Sequence, residues 1–430
     1  MPSNQELLRE ATNLLPGASL GSFYIAEKDD LVVDRGKGSR VWDVAGREFV
    51  DYVLGSGPMV LGHAHPAVVA AVQAQIERGA TFYALNQPAI RLADTIVKAA
   101  PCAEAVKFCG AGAEATFYAL RLARAATGRD KILKFEGGYH GPHDYAQMSS
   151  WPKRLDPFPA AWPDSAGIPQ SVAGHVLIAP FNDLATTVSI IERYRDDLAA
   201  VIVEPLSRML EPVPGFLQGL REATRRLGIV LIFDEVVTGF RVAWGGAQEL
   251  YGVVPDLACY GKIIGGGLPI AAVAGKRDLI ELANPRKKGA PDYVYMSGTL
   301  NGNPVSAAAG LATLGVLEKP GAYERLRAVG DRLRGGLRGI ASRLGIPAQV
   351  LGQGPLANIY FTSEPVLDYR SSLKSDSRLT QQLGSELLAR GVLTNLAAKM
   401  YLSLAHTDGD IDTTLQAFED SLNVITAGRR

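Results

Sequence analysis

Residues 229–233 read Ile-Val-Leu-Ile-Phe and run straight into Asp234-Glu235. A strand with one wet face alternates apolar and polar residues, so a strand without polar positions must be covered on both faces. The same texture recurs at 105–109, 131–135, 175–179, 200–203, 257–260 and 271–274. Helical periods separate several of these runs, at 113–126, 184–194 and 215–227. Buried strands alternating with helices predict an α/β fold built on a mainly parallel seven-stranded sheet.

The flanks read differently. Residues 5–15 form an amphipathic helical arm stopped by Pro16-Gly17, and 31–54 read as a small antiparallel meander of short strands at 31–33, 40–43 and 48–52. A loop leads into a helix over 66–78. Residues 151–169 hold five prolines and two tryptophans without a period, which predicts a functional loop rather than a connector. Beyond about residue 311, a helix over 322–344, short strands and a last helix over 410–422 predict a smaller α+β domain.

At 430 residues and 47% hydrophobic, the chain can bury a large core. Forty-four basic and forty-four acidic residues cancel, which argues against nucleic acid or an anionic membrane as partner. Three cysteines without metal-like spacing suit a reducing cytoplasm, and the start lacks the pattern of a signal peptide. His63 and His65, or His140 and His143, lack the spacing of a metal site, so no metal is expected.

Ligands of a doubly wound sheet bind beyond the carboxyl ends of its strands. Four groups fall there: the Gly110-Ala111-Gly112 turn, Glu204, Asp234 and Lys262. The turn offers backbone N–H groups at a helix start, an anion site backed by the helix dipole. Asp234 ends the most apolar strand and calls for a cation. Lys262 follows a buried strand and precedes Gly265-Gly266-Gly267; burial lowers a lysine's pKa towards the neutral amine that attacks carbonyls. Alone, Lys262 could end a strand and reach water, and Asp234-Glu235 could cap a turn. Gly110-x-Gly112-x-x-Ala115 with Asp130 also fits a dinucleotide fingerprint, although Asp130 precedes its strand instead of ending it. One ligand satisfies the turn, Asp234 and Lys262 together: pyridoxal phosphate (PLP) needs a lysine for its Schiff base, an acid for its ring nitrogen and a phosphate cup.

Gly110-Ala111-Gly112-Ala113-Glu114-Ala115, Tyr139-His140-Gly141, Glu204-Pro205, 234–241, 261–267 and 298–304 resemble, in order, the motifs of class III aminotransferases. The resemblance runs from about residue 14 to 422 and is nearest to the glutamate-1-semialdehyde aminomutase branch. It implies a fold-type-I PLP-dependent transferase acting as a homodimer with shared active sites. The implied division is an N-terminal segment (1–65) packed with the small domain, a large PLP-binding domain (66–311) and a C-terminal small domain (312–430). Carried over by motif, Lys262 would hold the cofactor and shuttle the substrate proton, with Asp234 on the pyridine nitrogen. The backbone of Ala111, Gly112 and Ala113 would bind the phosphate. Tyr139 and Val236 would face the two sides of the ring, Glu204 would lie on its hydroxyl side, and Thr299 would reach the neighbouring subunit's phosphate.

The departures lie at two places. Ala111 and Ala113 stand where relatives usually carry hydroxyls. On the substrate side, 18–23 lack the arginine of the aminomutase branch, Ser56 replaces its tryptophan, and Ala397-Ala398-Lys399 replaces its glutamate region. Ser22, Ser56, Arg208 and Lys399 are therefore the candidate substrate residues, with Arg208, Arg241 and Lys399 the cations open to a carboxylate. The expected reaction is PLP-dependent transfer of an amino group between an amine or amino acid and a keto acid. The alternative is a glutamate-1-semialdehyde 2,1-aminomutase or an amino-acid epimerase working with the same residues.

Overall fold

The uniformly apolar strands meet in one sheet in the computed structural model, which describes residues 2–21 and 30–427. Three strands precede that sheet: β1 (Val33–Lys37), β2 (Arg40–Asp43) and β3 (Glu48–Asp51). The sheet itself comprises β4 (Ala105–Cys109), β5 (Lys131–Phe135), β6 (Val176–Ala179), β7 (Leu198–Val203), β8 (Val230–Asp234), β9 (Leu257–Tyr260) and β10 (Ala271–Gly275). Their order across the seven-stranded sheet is β4-β10-β9-β8-β7-β5-β6, with β10 antiparallel to both neighbours and the other pairings parallel.

Both faces are dry. Ile232 packs with the helix Gly112–Thr127 on one side, while Leu231 and Phe233 face the aromatic cluster of Phe135, Phe181 and Phe216 on the other. Burial on both faces leaves no position on the strand for a polar side chain until Asp234, which ends it.

The C-terminal strands are β11 (Gln349–Leu351), β12 (Leu356–Tyr360), β13 (Val392–Leu393) and β14 (Met400–Tyr401). β11, β12 and β14 form a three-stranded sheet against the helices Ala322–Arg343, Ser377–Ala389 and Asp408–Ala427. β13 instead joins the N-terminal meander, parallel to β3, so the four-stranded sheet is β1-β2-β3-β13.

Several boundaries differ from the sequence reading. β1 begins at Val33, where the expected first strand ends, and runs through Gly36 to Lys37; a Cβ on Gly36 would lie 2.6 Å from the His63 ring, so close packing needs the glycine there. The helix Pro304–Leu317, not expected from the sequence, runs across the anticipated boundary at residue 311. Nine of its residues are buried and no polar stripe marks it, so it lacks the amphipathic signal of a surface helix. The N-terminal helix Asn4–Leu14 starts with a Ser3–Glu6 capping box and docks through Asn4, whose Nδ2 donates to Asp43 Oδ2 at 2.8 Å. Among the described residues no helix is long and apolar enough to cross a membrane.

The helix Pro304–Leu317 positions the candidate site. Its Gly310 meets the turn after β9: a Cβ there would lie 1.9 Å from the Ile264 carbonyl oxygen. We expect Gly310→Ala to cost about 3 kcal/mol through overpacking against rigid backbone. Gly315→Ala, open to space in the same helix, should stabilise by about 0.5–1 kcal/mol. Thermal melts of the two variants, moving in opposite directions, check this.

Candidate active site

Asp234 closes β8 with 5% of its surface exposed. Its Oδ2 lies 2.7 Å from His140 Nδ1, and its Oδ1 accepts the Val236 N–H at 3.1 Å. An accepting carboxylate places the His140 proton on Nδ1. The other ring nitrogen, Nε2, is buried without a hydrogen-bond partner among the described residues. His140 is fixed from behind as well, since Thr116 Oγ1 donates to its carbonyl at 2.5 Å. The sequence reading weighed His140 only as a metal ligand; its place in the Tyr139-His140-Gly141 motif was the available signal.

The segment around His140 is pressed onto the helix start. Gly141 has φ +98, and a Cβ on it would lie 2.5 Å from that of Ala113. The helix Gly112–Thr127 begins with Ala111 as N-cap and no side-chain cap, so its first N–H groups lack intrahelical acceptors. Glu114 Oε2 accepts the Gly110 N–H at 2.8 Å, which leaves the following N–H groups to receive an anion. Gly112 packs tightly here: a Cβ would sit 3.0 Å from both Val236 methyls. A Cβ on Gly261 would lie 3.3 Å from Val236 and 3.7 Å from Gly112 Cα. The phosphate turn, Val236 two residues beyond Asp234, and the residue before Lys262 thus share one point of contact.

Lys262 opens the short 3₁₀ turn Lys262–Gly265 with φ +48, in the left-handed region that non-glycine residues rarely occupy. Its amine has no ion pair or hydrogen bond among the described residues. Burial lowers its pKa; the Lys399 and Arg241 charges act in the same direction, while Tyr401 and Asp234 oppose it.

Glu204 Oε2 accepts the Tyr139 N–H at 3.0 Å, so the acid holds the segment bearing the aromatic ring. Tyr139 is 44% exposed, and its ring lies 5.5 Å from that of Trp151, the first residue of the proline-rich loop. Burial raises the Tyr139 phenol, helped by the Asp234 and Glu204 charges.

The candidate substrate residues divide. Arg208, at φ +49, spends Nε on the Gly137 carbonyl (2.6 Å) and Nη2 on that of Ser150 (2.7 Å), between the Trp151 and Tyr369 rings. It borders a cavity of about 640 Å³ with Trp151, Tyr369, Thr394 and Ala398. Ser150 is secured from below by the fully buried Lys134, whose Nζ donates to Ser150 Oγ and to the Ala146 and Met148 carbonyls at 2.6–2.8 Å. Ser56 is exposed in the turn Leu54–Ser56, beside Gly57. Lys399 is half-buried just ahead of β14. Thr299 is exposed in a turn and makes no hydrogen bond among the described residues. Ser22 lies outside the described residues.

Tyr401 is the second residue that sequence reasoning missed. It is 3% exposed and packs on Gly57, where a Cβ would lie 2.6 Å from its ring; the Arg241 guanidinium lies 5.0 Å from the ring centroid. Burial alone would raise its pKa, but the Lys399, Lys262 and Arg241 charges together hold the phenol below its usual value. Arg241, fully buried, bonds to the Val237 and Gly57 carbonyls, and burial pulls its pKa down to about 10.

An uncapped helix start for a phosphate, a buried acid oriented by a histidine and an unpaired buried lysine suit PLP, and the fold and site together are those of a fold-type-I PLP-dependent transferase. The class-III aminotransferase family model matches residues 24–422, and the chain belongs to that family. The glutamate-1-semialdehyde 2,1-aminomutase of Desulfitobacterium hafniense (strain Y51) is 43% identical over 429 residues, covering 97% of each chain. An omega-transaminase from Sphaerobacter thermophilus superposes with a TM-score of 0.92 at 36% identity, over 97% of this chain and 96% of that one. A transaminase solved with PLP bound superposes at 0.91 and 31% identity over the whole of both chains. The protein is a PLP-dependent enzyme.

The missing hydroxyl at the helix start is open to test. Ala111→Ser supplies a hydroxyl donor towards a bound phosphate, a gain of about 1 kcal/mol. Cofactor affinity measured by equilibrium dialysis should rise about fivefold.

Proposed function

We propose that the enzyme moves an amino group within one small amino-carboxylate substrate, as a glutamate-1-semialdehyde 2,1-aminomutase does. The carrying observation is the convergence of Lys262, Asp234 and the uncapped helix start on the Gly112–Val236–Gly261 contact. The 43% identity to a curated aminomutase supports exchange within one molecule. That reverses the ranking drawn from the sequence, which put transfer between molecules first. Transfer to a keto acid stands as the second reading. It is favoured by the substrate-side departures at Ser56 and Ala397-Ala398-Lys399, and by the likeness to transaminase structures.

In this reading PLP, once bound, supplies the electron sink that makes a proton beside the substrate nitrogen acidic. Lys262 carries the cofactor; when free, its amine takes that proton, a role suited to its lowered pKa. Asp234, held by His140, keeps the ring nitrogen protonated. The N–H groups of Ala111, Gly112 and Ala113 hold the phosphate, Tyr139 and Val236 face the ring, and Glu204 steadies Tyr139. Ser22, Ser56 and Arg208 border the substrate, Arg208 by fixing the loops that carry Tyr139 and Trp151.

A homodimer belongs to this proposal, with Thr299 serving the neighbouring subunit's phosphate. Its support is apolar surface that the single chain leaves open, with Tyr83 74%, Leu85 91% and Tyr295 61% exposed. The three-part division of the chain and a cytoplasmic location are proposed with it, the latter on three free, buried cysteines.

The purified holoenzyme should convert glutamate-1-semialdehyde without any added keto acid. Turnover that appears only when an amine and a keto acid are both supplied would establish the second reading instead. In either case Lys262→Ala should lower turnover at least 10²- to 10⁴-fold and lose the borohydride-sensitive visible band.

A further inference from the structure

Four cations lie at the site, and three of them are wholly or partly committed. Lys262 is reserved for the cofactor. Arg241 is fully buried beneath the Tyr401 ring, with Nε and Nη2 bonded to backbone carbonyls. Arg208 lies on the cavity wall, but its Nε and Nη2 tie Gly137 to Ser150 between two aromatic rings. Lys399, half-buried, has no ion pair or hydrogen bond at all among the described residues, whereas Arg208 and Arg241 each leave only Nη1 unbonded.

Its placement follows from the strand it precedes. β14 pairs with β12 through Leu356↔Tyr401 and Ala357↔Met400, and Asn358 Nδ2 donates to the Ala398 carbonyl at 2.9 Å, so the backbone on both sides of Lys399 is fixed. Met400 points into the apolar core of the C-terminal lobe. Residues 399 and 401 therefore share the opposite face, on which Tyr401 meets Gly57 and Arg241. The lining of the cavity of about 640 Å³ stops at Ala398 and includes neither Lys399 nor Tyr401, which lie on the Gly57 and Arg241 side instead. The Tyr401 hydroxyl on that face is without a hydrogen-bond partner among the described residues.

A half-buried ammonium without a counter-charge is unfavourable unless a ligand supplies one. Asp234 acts on Lys262 and Glu204 on Tyr401, but no carboxylate forms an ion pair with Lys399 among the described residues. We propose that Lys399, assisted by the Tyr401 hydroxyl, is the carboxylate-recognition element of the site, which makes the substrate an amino acid and not a simple amine. The inference rests on the PLP reading above, and it holds whether the amino group moves within one molecule or between two. Arg208 and Arg241 are positioning residues: Arg208 holds the loop of Tyr139 and Trp151, and Arg241 holds the Gly57 turn.

The test compares holoenzyme of wild type, Lys399→Met, Lys399→Arg and Arg208→Gln. Calorimetry measures binding of glutarate, which lacks an amine and cannot react, and of its uncharged diamide. Wild type should prefer the acid about 10- to 100-fold. Lys399→Met should abolish that preference with an unchanged melting temperature, and Lys399→Arg should keep most of it. Absence of the preference in wild type, its survival in Lys399→Met, or its loss in Arg208→Gln alone would overturn the proposal. The visible band of bound cofactor, read on the same samples, reports the PLP reading separately. If the band is present while the preference survives Lys399→Met, only the lysine assignment falls; if the band is absent, both fall.

Discussion

The site depends on a contact between backbones. The Ile264 carbonyl lies so close to Gly310 that a single methyl group would not fit, and this closeness fixes the depth of the turn Lys262–Gly265. A lysine held at positive φ costs free energy, and it persists because its surroundings leave the chain no alternative. From that fixed turn the rest follows: Gly261 touches Val236, Val236 follows Asp234, and Asp234 is locked by His140.

Much of this was legible in the sequence because it consists of anomalies. An acid after five apolar residues and a lysine before three glycines stand out in a single chain. The sheet was legible for the same reason, since strands dry on both faces carry few polar residues; Lys134 on β5 is one, and it needs buried acceptors. Partners that act across long separations were not. His140 bonds to a residue 94 positions away, and Tyr401 packs on Gly57, which no local period announces. The helix Pro304–Leu317 was missed because it is apolar on every side, and the β3–β13 pairing because two residues are too short to read as a strand. Arg208 was legible as unusual but not as spent, since its acceptors are backbone carbonyls without a sequence signature.

Charge is unevenly distributed around the cavity. Asp234 and Glu204 are both engaged, one by His140 and the other by the Tyr139 N–H. The neighbouring cations have no such acid partners, and they hold the Tyr401 phenol below its usual pKa despite deep burial. A surplus of positive charge in a partly dry space favours anions before any particular contact is made. This bias separates substrates by charge.

The parallel pairing of β13 with β3 joins residues 392–393 to residues 50–51. During synthesis the N-terminal meander emerges first, yet its edge partner is made some 340 residues later. The central sheet, closed by residue 275, can form while that edge is still bare. An exposed strand edge invites pairing with other chains, so the β3 edge is open to misassembly during the interval between the two events. Ribosome pausing after the central sheet would lengthen that interval, and a chaperone covering the first fifty residues would shorten its consequences.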